Sequence, residues 1–313
     1  MDKMRAAVVD GGATGHLAIR EVDVPTPLSN QALIRLAATS LNLGEVHRAQ
    51  SAQDGTLLGW DVAGTVERAA ADGSGPAAGT RVVGLLRSGA WAELAAVPTD
   101  SLAALPEGVS FAQVATLPVA GLTALLAVEH VGGLLARRVL VTGASGGVGH
   151  FACRLAKLSG AHVVGLIRRQ EKAGLVRESG ADEVIVGEDA SPAAGSGPYR
   201  LVVEAVGGKV LAQAAGMLGP DGACVSIGVI GGTEIVLDLR SMTAPRSSLY
   251  KMLVFNEVAR ETAAVGLSRL AQLVADGRLK PHIDAEEGWE RIGQTAADLL
   301  QRKISGKAVL TIR

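Results

Sequence analysis

The stretch from Val139 to Lys157, VLVTGASGGVGHFACRLAK, restricts what this chain can fold into more than any other. It opens on Val139-Leu140-Val141-Thr142, an aliphatic, β-branched run of the kind that forms a strand buried on both faces. A turn of small residues follows, Gly143-Ala144-Ser145-Gly146-Gly147. Val148, Phe151, Ala152, Leu155 and Leu158 then recur at the three- and four-residue spacing of an amphipathic helix. Strand, glycine turn and helix in that order make the first half of a dinucleotide-binding unit. The turn lets a pyrophosphate approach the backbone, and the helix start offers free N–H groups at the positive end of its dipole. The G-x-G-x-x-G pattern reads Ala144-x-Gly146-x-x-Gly149, with alanine first. Such a pattern counts only with the strand and helix around it, and both are present.

In this architecture the second strand ends at the adenosine ribose, where an acidic residue selects NAD. Here the run 162–167 ends in Arg168-Arg169, followed by Gln170, Glu171 and Lys172. Gly149 and Arg168 stand at the expected interval of about 20 residues. A carboxylate there repels a 2′-phosphate, whereas arginine offers a bidentate fork and lysine a point charge. Arg168, Arg169 and Lys172 therefore point to NADPH; the alternative is that they form only the solvated start of a helix.

Charge and composition exclude other classes. Thirty Lys and Arg against 31 Asp and Glu argue against nucleic acid or an anionic membrane as the main partner. A hydrophobic fraction of 48% with 19% charged residues marks a globular chain. Cys153 and Cys224 allow no disulfide framework, and no cluster has metal-ligand spacing. No apolar run reaches the roughly 18 residues of a membrane span, and the start lacks a signal-peptide core. A reducing, cytoplasmic setting is expected.

Residues 1–115 read as β-rich, with short strand candidates at 6–9, 32–36, 61–66, 81–85 and 91–97 punctuated by Gly and Pro. Asn42 to Gln53 is a polar loop or helix. From Phe111 the rhythm becomes strand and helix in alternation. Helices are predicted at 111–131, 148–159, 171–179 and 208–218, strands at 139–142, 162–167, 183–186, 201–204 and 223–227. Alternation implies parallel pairing with right-handed crossovers. Gly207-Gly208 follows a strand at the carboxyl end where ligands gather. Ser191 to Pro198 reads as a surface loop, 262–276 as a helix and 307–312 as a final strand.

Several segments together resemble the medium-chain dehydrogenase/reductase superfamily, in its zinc-independent quinone oxidoreductase and enoyl reductase branch. They are Ser40-Leu41-Asn42, Gly59 to Val66, Gly79 to Val82, Gly89 to Glu93, Leu117 to Ala124, the glycine turn, Gly180-Ala181-Asp182 and Gly306 to Leu310. The resemblance implies an α/β chain. A GroES-like β-rich catalytic domain would occupy 1–115 and 257–313. A Rossmann-like, doubly wound parallel-sheet domain binding NADP would occupy 116–256. It also implies a homodimer through edge-strand pairing near Arg246 to Phe255.

Zinc members of the superfamily carry cysteine where this chain has Asn42 and histidine where it has Trp60, with a third ligand, cysteine, near Val119. Asparagine and tryptophan are not zinc ligands, so the resemblance implies no metal. Hydride delivery to a quinone or an α,β-unsaturated carbonyl then replaces zinc-assisted alcohol oxidation. The family pattern places Asn42 beside nicotinamide and substrate, where its amide would donate to a developing oxyanion; the alternative is an asparagine capping a turn. Glu45 stands at the family's aspartate position. His47 lies near a family proton-relay histidine, or is a surface histidine. Thr123 matches a threonine whose hydroxyl faces the nicotinamide, or is a buried helix residue bonded to its own backbone. Gly228 and Val229 would approach the nicotinamide amide through their backbone, and Arg302 would join the 2′-phosphate cluster. Trp60 and Trp91 are pocket walls or core. Two further readings remain: an enoyl-thioester reductase, and a catalytically silent NADPH-binding protein.

Overall fold

Alternating short strands and turns build the first part of the chain in the computed structural model, which describes residues 2–313. β1 (Lys3–Val9) and β2 (Leu17–Asp23) form an antiparallel pair. β3 (Gln31–Leu41) leads into α1 (Leu43–Ala49), and β4 (Asp61–Arg68), β5 (Arg81–Leu85), β6 (Leu94–Pro98) and β7 (Leu102–Ala104) follow. The helix predicted at 111–131 is broken into three. α2 (Phe111–Ala115) gives way to a π-helical turn, Leu117–Gly121, before α3 (Leu122–Glu129). Pro118 explains the break: it has no N–H to donate and its ring crowds the carbonyl one turn back.

Strand and helix then alternate, through β8 (Arg138–Thr142), α4 (Gly147–Leu158), β9 (His162–Ile167), α5 (Ala173–Glu178) and β10 (Glu183–Val186). β11 (Tyr199–Glu204), α6 (Gly208–Ala215), β12 (Leu218–Ser226), β13 (Ser248–Lys251) and the short α7 (Val254–Glu257) complete that region. The chain closes with α8 (Ala263–Ala275), β14 (Ile283–Gly288), α9 (Ile292–Leu300) and β15 (Lys307–Thr311).

Two units result. One comprises residues up to Leu122 together with Val258–Arg313, the other Thr123–Glu257. In the first, seven strands form a sheet ordered β14-β15-β3-β4-β5-β7, with β6 also on β3. The C-terminal β15 lies antiparallel to β3, pairing Ala308 with Leu41 and Val309 with Ser40. That register carries Lys307 to the end of β3, beside Asn42. Ile34, Leu58, Trp91, Trp289 and Leu310 pack in its core.

The second unit is a six-stranded parallel sheet ordered β10-β9-β8-β11-β12-β13. This is the doubly wound order, which reverses between β8 and β11, and ligands bind at the carboxyl ends around such a reversal. β8 and the inner stretches of its neighbours are buried, as the uniform aliphatic runs require. Ser191 to Pro198 is not a plain surface loop. Residues Ser191–Ser196 form a 3₁₀ turn with Ala193 buried, and the Tyr199 hydroxyl donates to the Ala193 carbonyl at 2.7 Å. No helix among the described residues is long and apolar enough to cross a membrane.

Candidate active site

At the carboxyl edge of the parallel sheet, β8 turns through Gly143 (φ +60°) into α4. The turn is set by two backbone bonds, Gly146 N–H to Gly143 O at 2.9 Å and Ala144 N–H to Leu166 O at 3.1 Å. A Cβ on Gly149 would lie 2.3 Å from the Gly143 oxygen, so this glycine lets the helix start press against the strand end. No side chain caps the helix, and the N–H groups of Gly147, Val148 and Gly149 find no partner among the described residues. An uncapped helix start with free donors and a positive dipole end fits a pyrophosphate.

The next strand end is held from beneath. The buried Glu204 carboxylate accepts from Thr142 Oγ1 (3.0 Å), Val206 N–H (2.8 Å) and Gly207 N–H (3.0 Å). Burial pushes its pKa up, and the bonds from Gly207 and Val206 oppose the shift. Gly207 takes φ +86°, and a Cβ on Gly228 would meet the Ala205 oxygen at 2.2 Å. The two strand-end loops therefore sit backbone against backbone, with Val229 exposed beyond them. Two of these bonds are local, from the loop just past β11, while the third comes from Thr142 on β8, which strand pairing alone brings to Glu204.

Because β9 runs parallel to β8, Arg168 and Arg169 emerge on the same edge, one and two residues past the strand end. Both are exposed, and Lys172 is half-buried in the 3₁₀ turn that follows. Arg169 Nε lies 3.8 Å from Glu171 Oε1, while Arg168 has no ion pair or hydrogen bond among the described residues. Arg302 belongs to the other unit, half-buried at φ +61° just past α9.

Within the β-rich unit, Asn42 sits at the corner between β3 and α1 as the helix N-cap. Its Nδ2 donates to Asp61 Oδ2 at 2.7 Å and to Glu45 Oε1 at 3.1 Å, while Lys307 Nζ donates to its Oδ1 at 2.6 Å. The Asn42 backbone N–H also donates to Glu45 Oε1, at 2.8 Å. Asp61 further accepts from Ser40 Oγ and from the Val119 N–H (2.9 Å), which lies in the π-helical turn. Lys307 Nζ stands 3.4 Å from Asp61 Oδ2. Glu45 and Asp61 are both 0% exposed and Lys307 3%. Burial, and then the neighbouring Asp61 carboxylate, drive the Glu45 pKa well above the usual carboxylate range. The expected free amide donor is thus corrected: both Asn42 amide protons are already engaged inside the protein. Asp61 and Lys307 were missed in the sequence because they meet Asn42 only through strand pairing.

His47 is exposed on α1. Thr123 is 7% exposed at the start of the second unit, and its hydroxyl makes no bond back to its own helix. Trp91 is wholly buried core and not a pocket wall. Trp60 is half-buried, its indole N–H donating to Arg87 O at 3.1 Å and its ring packed over Gly44. Cys153 and Cys224 are buried thiols, and burial pushes the Cys153 pKa up to about 12.

Comparison with known proteins decides the family. Residues 29–107 match the alcohol dehydrogenase GroES-like domain, and 147–271 match the zinc-binding dehydrogenase domain. The chain is 30% identical to a chloroplast envelope quinone oxidoreductase homolog of Arabidopsis thaliana, over 96% of this chain and 95% of that one. It belongs to the medium-chain dehydrogenase/reductase superfamily, in the quinone oxidoreductase-like branch. The quinone oxidoreductase structure from Coxiella burnetii superposes with a TM-score of 0.86 at 25% identity, covering all of both chains. A mycobacterial structure complexed with NADPH gives a TM-score of 0.86 at 25% identity, covering 98% of this chain and 99% of that one. This medium-chain reductase-like chain is therefore an oxidoreductase whose family binds a nicotinamide cofactor, and its parallel-sheet edge has the donors to hold one.

Proposed function

We propose that this oxidoreductase uses NADPH, works without zinc, and delivers hydride to a quinone or another electron-poor alkene such as an α,β-unsaturated carbonyl. The observation that carries the cofactor reading is the end of β9. Arg168 emerges there exposed and without an ion pair, with Arg169 and Lys172 beside it, where an NAD-selecting site presents a carboxylate. The quinone oxidoreductase relatives and the NADPH-bound mycobacterial structure support the same reading.

The N–H groups of Gly147, Val148 and Gly149 would hold the pyrophosphate, with Ala144, Ser145 and Gly146 shaping the turn. Gly207, Gly228 and Val229 would line the path to the nicotinamide. When bound, the cofactor supplies the hydride. By the family resemblance, Asn42 and Trp60 would stand where zinc members carry cysteine and histidine, and neither side chain is a zinc ligand. We assign acceptor chemistry to the β-rich unit (residues up to Leu122 and Val258–Arg313) and cofactor binding to Thr123–Glu257. Asn42, Thr123 and, as proton donor, His47 are the residues proposed for the reaction, with Arg302 an additional phosphate contact. A homodimer is proposed through the edge strand β13, on which Leu249 is exposed, as is Leu253 just past its end. A monomer in light scattering would count against it.

The deciding experiment is a panel of 1,4-benzoquinone, 1,2-naphthoquinone and crotonyl-CoA, each with NADPH and NADH. Reduction of the quinones with NADPH is expected. Faster turnover of crotonyl-CoA would favour an enoyl-thioester reductase, and binding without turnover a silent NADPH-binding protein. The variant R168A should weaken NADPH about 10- to 100-fold, the worth of a charge-assisted phosphate contact, and leave NADH unchanged. A preference for NADH would overturn the cofactor reading.

A further inference from the structure

Two carboxyl groups and one ammonium are buried together around a single asparagine. They come from β4 (Asp61), α1 (Glu45) and β15 (Lys307), and Ser40 and the Val119 N–H complete the set. Burying such a group costs more than an apolar replacement of the same shape would. What the arrangement gains is a fixed Asn42. The amide oxygen faces the ammonium at 2.6 Å, and the amide nitrogen faces carboxyl oxygens at 2.7 and 3.1 Å. Turning the amide by half a revolution would set its oxygen against Asp61 and its protons against Lys307, so opposite charges determine which way it points. Asn42 is also only half-buried, unlike the three ionisable groups behind it.

We propose that Asp61 and Lys307 are positioning residues for the reaction, acting through Asn42, which meets its ligand as a hydrogen-bond acceptor and not as a donor. The inference rests on the reading that Asn42 serves acceptor reduction. With both protons held by Asp61 and Glu45, the group left to a ligand is the second lone pair of Oδ1. Hydroxyl or amide N–H groups on the cofactor or on a reduced acceptor are the chemistry that such an oxygen takes. Loss of Lys307 frees the oxygen end, and loss of the Asp61 charge frees the nitrogen end; either way the amide is no longer held in one orientation.

The chain contains three asparagines, Asn30, Asn42 and Asn256, so selective ¹⁵N-asparagine labelling yields three side-chain amides. Asn30 and Asn256 are exposed. In the unaltered protein one amide pair should exchange with solvent about 100-fold more slowly than the other two, and N42A should remove that pair. Three amides exchanging alike would overturn the cluster as a restraint, whatever the activity. K307M and D61N should abolish the protection and lower kcat about tenfold or more, as loss of positioning does, with NADPH affinity held within about twofold. K307R should recover part of both. Lost protection with a kcat that stays at the unaltered level would overturn the positioning role, as would an N42A variant with undiminished kcat. If no acceptor turns over at all, the functional reading fails on the panel, while amide exchange still decides the cluster.

Discussion

Replacing Glu45 with glutamine should make this protein less sensitive to alkaline pH. Glu45 is fully buried; its Oε1 accepts from the Asn42 N–H and Nδ2, and its Oε2 has no partner. The ammonium of Lys307 sits on Asn42 and Asp61 instead. Burial and the Asp61 carboxylate raise the Glu45 pKa, with the Asn42 bonds and Lys307 pulling it back only in part. Below the pKa of an unfolded glutamate, both states keep the proton and no pH dependence arises. Above it the unfolded side chain ionises while the folded one stays protonated. Stability is then lost as pH rises, by up to about 1.4 kcal/mol per unit, until the folded group titrates.

In E45Q the amide oxygen can accept the same two bonds, and its NH₂ replaces a carboxyl O–H that equally lacks a partner. The variant should therefore match the unaltered protein within about 1 kcal/mol near the unfolded carboxyl pKa. It should then gain on it as pH rises, by about 3–5 °C of thermal midpoint per unit for a unit of this size. Thermal unfolding followed by circular dichroism from about pH 5 to about pH 8 reads the difference. Melting temperatures that stay parallel across that range would refute the reasoning, since they require an ionised Glu45 in the fold.

Two other predictions concern the parallel-sheet unit. G149A places a methyl 2.3 Å from the Gly143 oxygen, so the helix start must move; overpacking of this kind costs about 1–3 kcal/mol and should abolish NADPH binding in fluorescence titration. Unchanged affinity would show that the close approach is not required. Cys153 and Cys224 are buried with raised pKa values, so neither should react with a thiol reagent in the folded protein, and both should react after denaturation. Rapid labelling of the folded protein would contradict the packing.

How much could be read in advance follows the range of each interaction. β8, the glycine turn and α4 are contiguous, so their apolar runs and small residues reveal them directly. β10 was expected at 183–186, where it lies, and β9 at 162–167. Four strands went unread: β2, β13 and β14 carry mostly half-buried or exposed residues (LAIREVD, SLYK, IDAEEG) and lack the alternation that marks a strand, and β7 is only three residues long. Their pairing partners define them, and partners are distant in sequence. The π-helical turn at Leu117–Gly121 had a local sign in Pro118, which the uniform apolar pattern around it concealed.

The sequence by itself determined the alternation of helices with five of the six parallel strands, the turn that can cradle a pyrophosphate, and the cations after the second strand. These are features of neighbouring residues, where spacing alone sets geometry. Tertiary structure decided the state of Asn42. Its partners Asp61 and Lys307 lie 19 and 265 residues away and arrive only because β4 and β15 flank β3. An amide that looked free to donate in the sequence is therefore held by charges at both ends in the fold, because strand register brings those charges to it.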